Sequence, residues 1–404
     1  MVDLAAAKDR IDAVVAEHAG ALLDASHRIH AHPELGFAEH HAHDVLTALL
    51  EEAGLRVTRG AFGLETAFEA RAGSGSGPTI AVLCEYDALP GIGHACGHNV
   101  IGTAGVGAGI AAAAVAAELG GNLVVLGTPA EEGGGGKILM AERGAFEGVD
   151  AALMVHPAGA DLARFAAIAI QQLEVTYQGR AAHAAAAPQA GRNALDAAVL
   201  GYMNVAALRQ HIRPDERIHG IFTEAGEAAN VVPERAAATW YVRSPTVRGL
   251  EKLKARVLTC LEAGASAAGC GMEHAWIDPA FANMVDNDPM IERYRLNLAR
   301  TGRTLTEASS MNAVVGSTDM GNVSHLVPSI HPMIAVSPPN VAIHTQDFVR
   351  YAGGEEGDRA VVDGARAMAS TVADLWAEPG ALEEAQAAFA AARESGRATG
   401  RATI

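Results

Sequence analysis

Basic side chains are in short supply in this chain. Lys and Arg number 30 against 47 Asp and Glu in 404 residues, which gives a formal net charge of −17. Proteins that bind nucleic acid normally carry a basic surface, so this balance argues against a nucleic-acid partner. At roughly 150 residues per domain, the length predicts two or three domains.

Cysteine and aromatic residues are also few. Four cysteines in a chain of this length exclude a disulfide framework, and only 4% of the residues are aromatic although 50% are hydrophobic. The first ten residues contain acidic side chains and no basic segment followed by an apolar run, so they do not resemble a signal peptide. We therefore expect a cytoplasmic protein.

One uncharged segment could be mistaken for a membrane span. Residues 100–117 carry no charged side chain and are long enough to be considered as one. Ala and Gly dominate the segment, however, and these residues drive insertion weakly. We predict a helix of small residues buried in a protein core, and no membrane partner.

Helix-like and strand-like segments alternate over the first 170 residues. Apolar residues at helical spacing predict helices over 5–24 and 40–53. Short apolar runs bounded by turn residues predict strands at 55–58, 66–70, 79–84, 122–126 and 151–155. This alternation predicts an α/β domain with a mostly parallel sheet.

The pattern changes from about residue 171. Strands and helices are predicted there in the order β-α-β-β-α-β, which is the ferredoxin-like arrangement. Because α/β-type segments resume after residue 278, we expect an inserted α+β domain over 171–278 and a second domain made of 1–170 and 279–404. The inserted segment has eleven basic and eleven acidic side chains, so the whole negative excess lies outside it.

Cys96 and His98 are separated by one glycine. Thiolate and imidazole are ligands that suit zinc and similar divalent metals, and a glycine between them lets both side chains turn toward one point. A buried cysteine beside a core histidine would give the same letters, so this pair alone decides nothing.

Two adjacent carboxylates, Glu131 and Glu132, follow the apolar segment 122–126. Open α/β sheets build their sites where strands end, and one carboxylate could bind a metal while the other acts as a general base. A solvated acidic turn is the alternative. His156 also follows an apolar run, and His344 follows a proline-rich turn; each is a candidate ligand when the set is taken together.

Five motifs, in order, resemble one enzyme family. The chain is similar to peptidase family M20, the dinuclear metallopeptidases and amidohydrolases that include the aminoacylases, and within it to the branch of the p-aminobenzoyl-glutamate hydrolases, indole-acetyl-amino-acid hydrolases and related dipeptidases. Most of that branch has Asp where this chain has Asn99, which points to its hydrolase and dipeptidase side. The matching segments are 28–37 (RIHAHPELGF), 85–90 (EYDALP), 94–99 (HACGHN), 129–133 (PAEEG) and 316–322 (GSTDMGN).

The resemblance implies a site with two divalent metal ions, zinc first and manganese or cobalt as alternatives. It implies that Cys96 bridges the ions and that Glu131 is the general base and acid. Asp87 would orient a histidine ligand. The remaining ligands implied are His98, Glu132, His156 and His344.

The resemblance also assigns roles in the inserted segment, which would be a lid and dimerisation domain. His183 would reach the active site of a neighbouring subunit and stabilise an oxyanion. Asn230 and Arg243 would hold the α-carboxylate of the substrate, and Gly316 would line the substrate site. The implied activity is hydrolysis of the amide bond of an N-acyl amino acid or dipeptide with a free carboxylate, by a homodimer. From position alone, His183 could be a surface loop histidine, and Arg243 would be read as a surface charge at a strand end.

Three alternatives stay open at this point. One is a non-catalytic binding or regulatory protein on the same scaffold, and another is a dipeptidase specific for basic C-terminal residues. A zinc deaminase would pair His-x-Glu with a later Cys-x-x-Cys; residues 32–34 fit the first half, but the chain contains no Cys-x-x-Cys.

The densest histidine cluster, which could be a metal tract, comprises His27, His30, His32, His40, His41 and His43.

Overall fold

The computed structural model describes residues 3–73, 75–164, 166–307 and 315–401. The chain divides into two compact units: a larger unit of Met1–Ala166 with Met284–Thr403, and an inserted unit of Ala167–Asn283. The boundaries expected at 171 and 278 lie four and five residues inside those of the inserted unit.

Strands occur in both units. In chain order they are β1 (Arg56–Arg59), β2 (Phe68–Gly73), β3 (Thr79–Cys84), β4 (Asn122–Gly127), β5 (Ala151–Leu153), β6 (His156–Ala158), β7 (Ala166–Ala167), β8 (Ala169–Gln178), β9 (Arg217–Glu224), β10 (Arg235–Ser244), β11 (Gly271–Phe281), β12 (Val315–Gly316), β13 (Ser329–Ile330) and β14 (Met333–Ala335).

Helices make up most of the rest. In chain order they are α1 (Leu4–Ala31), α2 (His40–Glu52), α3 (His98–Leu119), α4 (Gly136–Glu142), α5 (Ala194–Arg209), α6 (Val247–Ala268), α7 (Asp288–Ala299), α8 (Met320–Ser324), α9 (Gln346–Ala352), α10 (Glu355–Ala377) and α11 (Ala381–Glu394), with short 3₁₀ turns at Ala61–Gly63 and Pro188–Ala190.

The main sheet of the larger unit has six strands in the order β1-β2-β4-β3-β5-β13. The four strands β4, β3, β5 and β13 are parallel, whereas β1 pairs with β2 and β2 with β4 in antiparallel fashion. The sheet is therefore mixed: four adjacent strands are parallel, as expected, and two antiparallel strands are added at one edge. The short connection between β1 and β2 explains this, because a parallel crossover needs a dozen or more residues.

The uncharged segment lies within α3. This helix is apolar and long enough to span a membrane, but 83% of its most apolar 18-residue stretch is buried inside the protein. Its glycines allow close packing against the sheet: a Cβ on Gly105 would lie 2.5 Å from Cys84 Sγ, and one on Gly109 would lie 2.4 Å from Val125 Cγ2. Helices α1 and α10 also pack against α3. The core of the larger unit is thus built around a helix of small residues.

The inserted unit is an antiparallel sheet in the order β11-β8-β10-β9 with helices α5 and α6 packed on it. Its chain order, β8-α5-β9-β10-α6-β11, gives the ferredoxin-like topology expected from the sequence. Burial alternates along β8 and β10, so one face of the sheet carries the core of this unit, where Leu173, Tyr177 and Trp240 are buried.

Candidate active site and family

Three loops of the larger unit meet where neighbouring parallel strands end. Residues 85–98 follow β3, residues 128–135 follow β4, and residues 154–156 follow β5. Because β4, β3 and β5 are adjacent and parallel, their carboxyl ends lie at the same edge of the sheet. The loops therefore bring together side chains that are far apart in sequence.

Cys96 is the centre of this cluster. Its sulfur belongs to two groups of three ligand atoms, one with His98 and His156 and the other with Glu132 and His344, and the atoms of each group lie within 4.8 Å of one another. The Cys96 sulfur is 3.4 Å from His156 Nε2. A shared sulfur between two triads is the arrangement that a bridging ligand needs.

Asp87 joins the two groups. One of its oxygens, Oδ1, accepts a hydrogen bond from His98 Nδ1 at 2.9 Å, and the other, Oδ2, accepts one from the backbone N–H of Glu132 at 2.9 Å. The first bond leaves His98 Nε2 facing the cluster with its lone pair, as a metal ligand requires. Asp87 therefore contacts both a candidate ligand and the backbone of Glu132, and its role in orienting His98 stays a prediction.

The other two histidines come from different parts of the fold. His156 begins β6, and its Nδ1 donates to the Pro157 carbonyl at 2.7 Å, so that Nε2 faces Cys96. His344 has a left-handed backbone (φ 63°), and its N–H donates to the Ala95 carbonyl at 2.8 Å. His344 Nε2 lies 3.4 Å from Glu132 Oε1.

Burial dominates the electrostatics of the site. It raises the pKa of the Cys96 thiol and of the Glu131 carboxyl well above their usual ranges, and it lowers the pKa of His156 to about 4. Burial also lowers the pKa of His98, but the negative charges of Glu85 and Asp87 beside it outweigh this effect and hold that pKa well above its usual value. An ionised thiolate is therefore stable here only beside a compensating positive charge.

The chemistry of these donors fits divalent cations. Two buried atoms that face the cluster, His98 Nε2 and Glu132 Oε1, make no hydrogen bond. Buried polar atoms are normally paired, so two unpaired polar atoms in one cluster indicate a ligand that contacts both. Thiolate, imidazole and carboxylate suit zinc and related metals.

Sequence reasoning missed a buried ion cluster beside these residues. Lys137 Nζ donates to Glu85 Oε2 at 2.5 Å and to Asp319 Oδ1 at 2.8 Å, and all three side chains are inaccessible to solvent. Glu85 Oε1 lies 3.5 Å from His98 Nε2, and Glu85 forms a further group of potential ligands with His98 and Glu131. Burial alone would raise the pKa of Glu85, but the ammonium of Lys137 outweighs it and lowers that pKa.

His183 and Asn230 lie together in the inserted unit. The backbone N–H of Ala184 donates to the Asn230 carbonyl at 3.0 Å, and that of Val232 donates to the Ala182 carbonyl at 2.9 Å. Both His183 and Asn230 are exposed. His183 Nδ1 accepts hydrogen bonds from the N–H groups of Ala185 and Ala186, so the neutral ring carries its proton on Nε2 and can donate it to a ligand.

Arg243 lies at the opposite end of the same sheet. On β10, Arg243 pairs in register with Ile170, whereas Arg235 pairs with Gln178. The eight residue steps from Arg235 to Arg243 span roughly 26 Å at the usual rise of a strand, and Asn230 lies beyond the Arg235 end. One copy of this unit therefore does not bring Asn230 and Arg243 to the same point.

The remaining candidates lie elsewhere. Gly316 is half-buried and ends β12, the strand that directly follows the undescribed residues 308–314, and its role in substrate binding stays a prediction. The histidines near the N-terminus have separate partners: His27 pairs with Asp358, His30 Nε2 lies 2.8 Å from the Val349 carbonyl oxygen, and the ring centroids of His32 and His41 lie 4.8 Å apart. Among the described residues, no group of three ligand atoms includes any of these histidines.

Comparison with known proteins supports the resemblance. The chain is 39% identical over 397 residues to the mouse (Mus musculus) Xaa-Arg dipeptidase, covering 95% of this chain and 91% of the relative. It is 30% identical over 441 residues to one component of the p-aminobenzoyl-glutamate hydrolase of Escherichia coli, covering 90% of each. The fold matches the Bacillus subtilis YXEP protein, a dinuclear metal binding peptidase from the M20 family, with a TM-score of 0.69 at 19% identity over 88% of this chain and 98% of that one.

The sequence profile of peptidase family M20/M25/M40 matches residues 81–374, which include every residue of the ligand cluster. The chain therefore belongs to peptidase family M20/M25/M40 and is an enzyme of the metallopeptidase and amidohydrolase type.

Proposed function

We propose that the enzyme hydrolyses the amide bond of dipeptides or N-acyl amino acids that carry a free carboxylate, with two divalent metal ions in the Cys96 cluster. The observation that supports this most strongly is that one buried sulfur is shared by two triads of ligand atoms, with the Glu131 carboxylate beside them. One thiolate and one carboxylate would offset two of the four positive charges of two divalent ions. The loaded site would then keep a net charge of about +2, which favours binding of the electron-rich carbonyl oxygen of an amide.

The residues of the chain then divide the work. Metal ions bound here would polarise the amide carbonyl and lower the pKa of water. Glu131 takes a proton from the attacking water and later gives it to the leaving amine nitrogen. Its buried position favours the protonated form, which suits the second of these transfers. Asp87 fixes His98 and the backbone of Glu132 throughout.

The amino acid released is proposed to be basic. The inserted segment is neutral, so the whole excess of 17 acidic charges lies in the unit that carries the metal cluster. A cationic leaving residue is attracted to this background, whereas an acidic one is repelled. The Xaa-Arg dipeptidases at 39% identity support this choice, and p-aminobenzoyl-glutamate hydrolase at 30% supports the acidic alternative.

Selection of the substrate carboxylate is proposed to need two copies of the chain. A dipeptide spans roughly 7 Å, far less than the separation of Asn230 and Arg243 within one copy. A homodimer would supply His183 and Asn230 from one copy to the site of the other. The exposed edge strand β9 offers an interface, since Ile221 and Phe222 on it are 68% and 39% exposed.

A complementation assay tests the shared site. Glu131→Gln and His183→Ala are each expected to be inactive, but co-refolded mixtures of the two should regain about a quarter of the wild-type activity, because half of the dimers are mixed and hold one intact site. Light scattering should give twice the 41.6 kDa chain mass. A monomer, or mixtures without activity, would contradict the shared site.

A substrate panel tests the activity itself. The purified enzyme is incubated with a mixed library of dipeptides and N-acyl amino acids, and the products are identified by mass spectrometry. We expect release of C-terminal Arg and Lys at least about tenfold faster than release of Glu from matched substrates, with Glu131→Gln as the control. Equal rates would refute the preference, and activity that survives exhaustive chelation would refute the mechanism.

Two finer assignments complete the proposal. Zinc is the proposed metal, with manganese or cobalt as alternatives, because one triad consists of a thiolate and two imidazoles. Elemental analysis of enzyme purified without added metal decides between these metals. A cytoplasmic location is proposed because all four cysteines are free thiols, and cell fractionation tests it.

A further inference from the structure

The carboxylate that caps helix α2 does not come from the residue at its N-cap position. Glu39 occupies its N-cap position, where an acidic side chain normally accepts hydrogen bonds from the first turn, yet Glu39 caps nothing. Instead Glu34, five residues earlier, accepts from the backbone N–H groups of His41 and Ala42, both at 3.0 Å. The side chain of Glu39 is thereby available for another partner.

That partner is the turn that carries the two active-site glutamates. Glu39 Oε1 accepts a hydrogen bond from the Ala130 N–H at 2.8 Å, and Oε2 accepts one from Thr66 Oγ1 at 2.8 Å. Glu39 is fully buried, so both bonds form away from water. Ala130 immediately precedes Glu131 and Glu132 in the chain.

Ala130 has an unusual backbone conformation. Its φ is 57°, in the left-handed region that residues with a Cβ rarely adopt, and its carbonyl accepts from the N–H groups of Gly134 and Gly135 at 3.0 and 2.8 Å. Its Cβ is also confined, because a Cβ on Gly36 would lie 2.8 Å from it. A strained residue directly before a general base persists only where its surroundings hold it.

We propose that Glu39 is a positioning residue for catalysis: its carboxylate holds the Ala130 N–H and so fixes the left-handed turn that aims Glu131, while Asp87 holds the backbone of the ligand candidate Glu132 independently. This inference rests on the proposed function, since Glu131 is the proton carrier there. The acidic side chain is used because a carboxylate accepts two hydrogen bonds without a donor of its own in the buried pocket.

The expected effects separate positioning from folding. Glu39→Ala should lower kcat on the order of 100-fold with an unchanged KM and an unchanged metal content, because a misplaced proton carrier slows the reaction without altering binding. Glu39→Gln keeps an oxygen for Ala130 and should retain kcat within about threefold. Thr66→Val, which breaks only the second bond of Glu39, is the matched control and should also stay within about threefold.

A second substitution tests the strained turn directly. Glycine adopts positive φ without the steric penalty that alanine carries, so Ala130→Gly added to Glu39→Ala should recover kcat by about tenfold. A loss of kcat in Glu39→Gln equal to that in Glu39→Ala would contradict the proposal. So would a Glu39→Ala enzyme that turns over normally, or one that loses metal and kcat in parallel.

A structural measurement keeps the two proposals distinguishable. If the wild-type enzyme hydrolyses no substrate of the panel, the proposed function fails first, and the Glu39 inference is judged from a crystal structure of Glu39→Ala alone. We expect φ of Ala130 to leave the left-handed region and the Glu131 carboxylate to move by about 1 Å. An unchanged turn in that structure overturns the inference independently of any activity.

Discussion

Replacing Lys137 by methionine should strongly destabilise the larger unit. The Lys137 ammonium is fully buried and contacts two carboxylates, Glu85 at 2.5 Å and Asp319 at 2.8 Å, whose side chains are also inaccessible to solvent. Lys137→Met preserves the shape of the stem but leaves both carboxylates without their cation. Breaking a buried ion pair from one side costs about 3–5 kcal/mol, so we expect a loss of at least that size in the free energy of unfolding.

Urea unfolding followed by circular dichroism gives the loss, measured on metal-loaded and metal-depleted protein. The double variant Lys137→Met with Glu85→Gln supplies the internal control, because it removes one of the two uncompensated charges and should recover about half of the loss. A change below about 1 kcal/mol in Lys137→Met would refute the idea that the buried ammonium compensates these carboxylates.

Three further predictions concern single side chains. Glu131→Gln should abolish turnover, with at most about 10⁻³ of wild-type kcat, while elemental analysis finds the metal content unchanged; normal activity would exclude Glu131 as the proton carrier. Arg243→Ala should raise KM on the order of tenfold or more if the guanidinium holds the substrate carboxylate, and unchanged kinetics would remove that role. Burial raises the pKa of Asp286 from 3.8 to about 7, so the native state keeps a proton that the unfolded state releases and stability falls as pH rises through this range. Asp286→Asn should therefore stabilise the protein by up to about 4 kcal/mol at pH 8 and have little effect near pH 3, and calorimetry at both values tests this sign.

Much of the site could be located from strand ends in the sequence. The loops that carry Cys96, Glu132 and His156 follow apolar runs that do form neighbouring parallel strands, and sheet geometry then brings them to one edge. His344 is not located by a strand end, because it lies nine residues after β14, beyond a proline-rich turn, and its loop is held by a backbone bond to Ala95.

The buried ion cluster could not be predicted from the sequence pattern. The ion cluster of Glu85, Lys137 and Asp319 joins residues that are 52 and 182 positions apart, and no local periodicity marks such a pairing. The role of Glu39 is not visible in the sequence for a different reason: an acidic residue at a helix start is normally expected to cap the helix, but here Glu34 caps it and Glu39 binds the Ala130 N–H.

The main sheet differs from the expected parallel arrangement only at its first two strands. The first two strands lie antiparallel at its edge, since the few residues between β1 and β2 leave no room for a crossover helix. The separation of Asn230 and Arg243 likewise follows from register, which the sequence specifies only when the pairing partner is known.

The close packing of α3 through its glycines makes metal affinity depend on how well the core is packed. His98, a ligand candidate, is the first residue of this helix, and Gly105 and Gly109 further along it set how closely the helix approaches Cys84 and Val125. An added methyl group at either glycine would push the ligand away from Cys96 as well as loosen the interior. By linkage, a cation that binds only the well-packed state also stabilises the packed helix, so loss of metal and loss of core order should behave as one thermodynamic event.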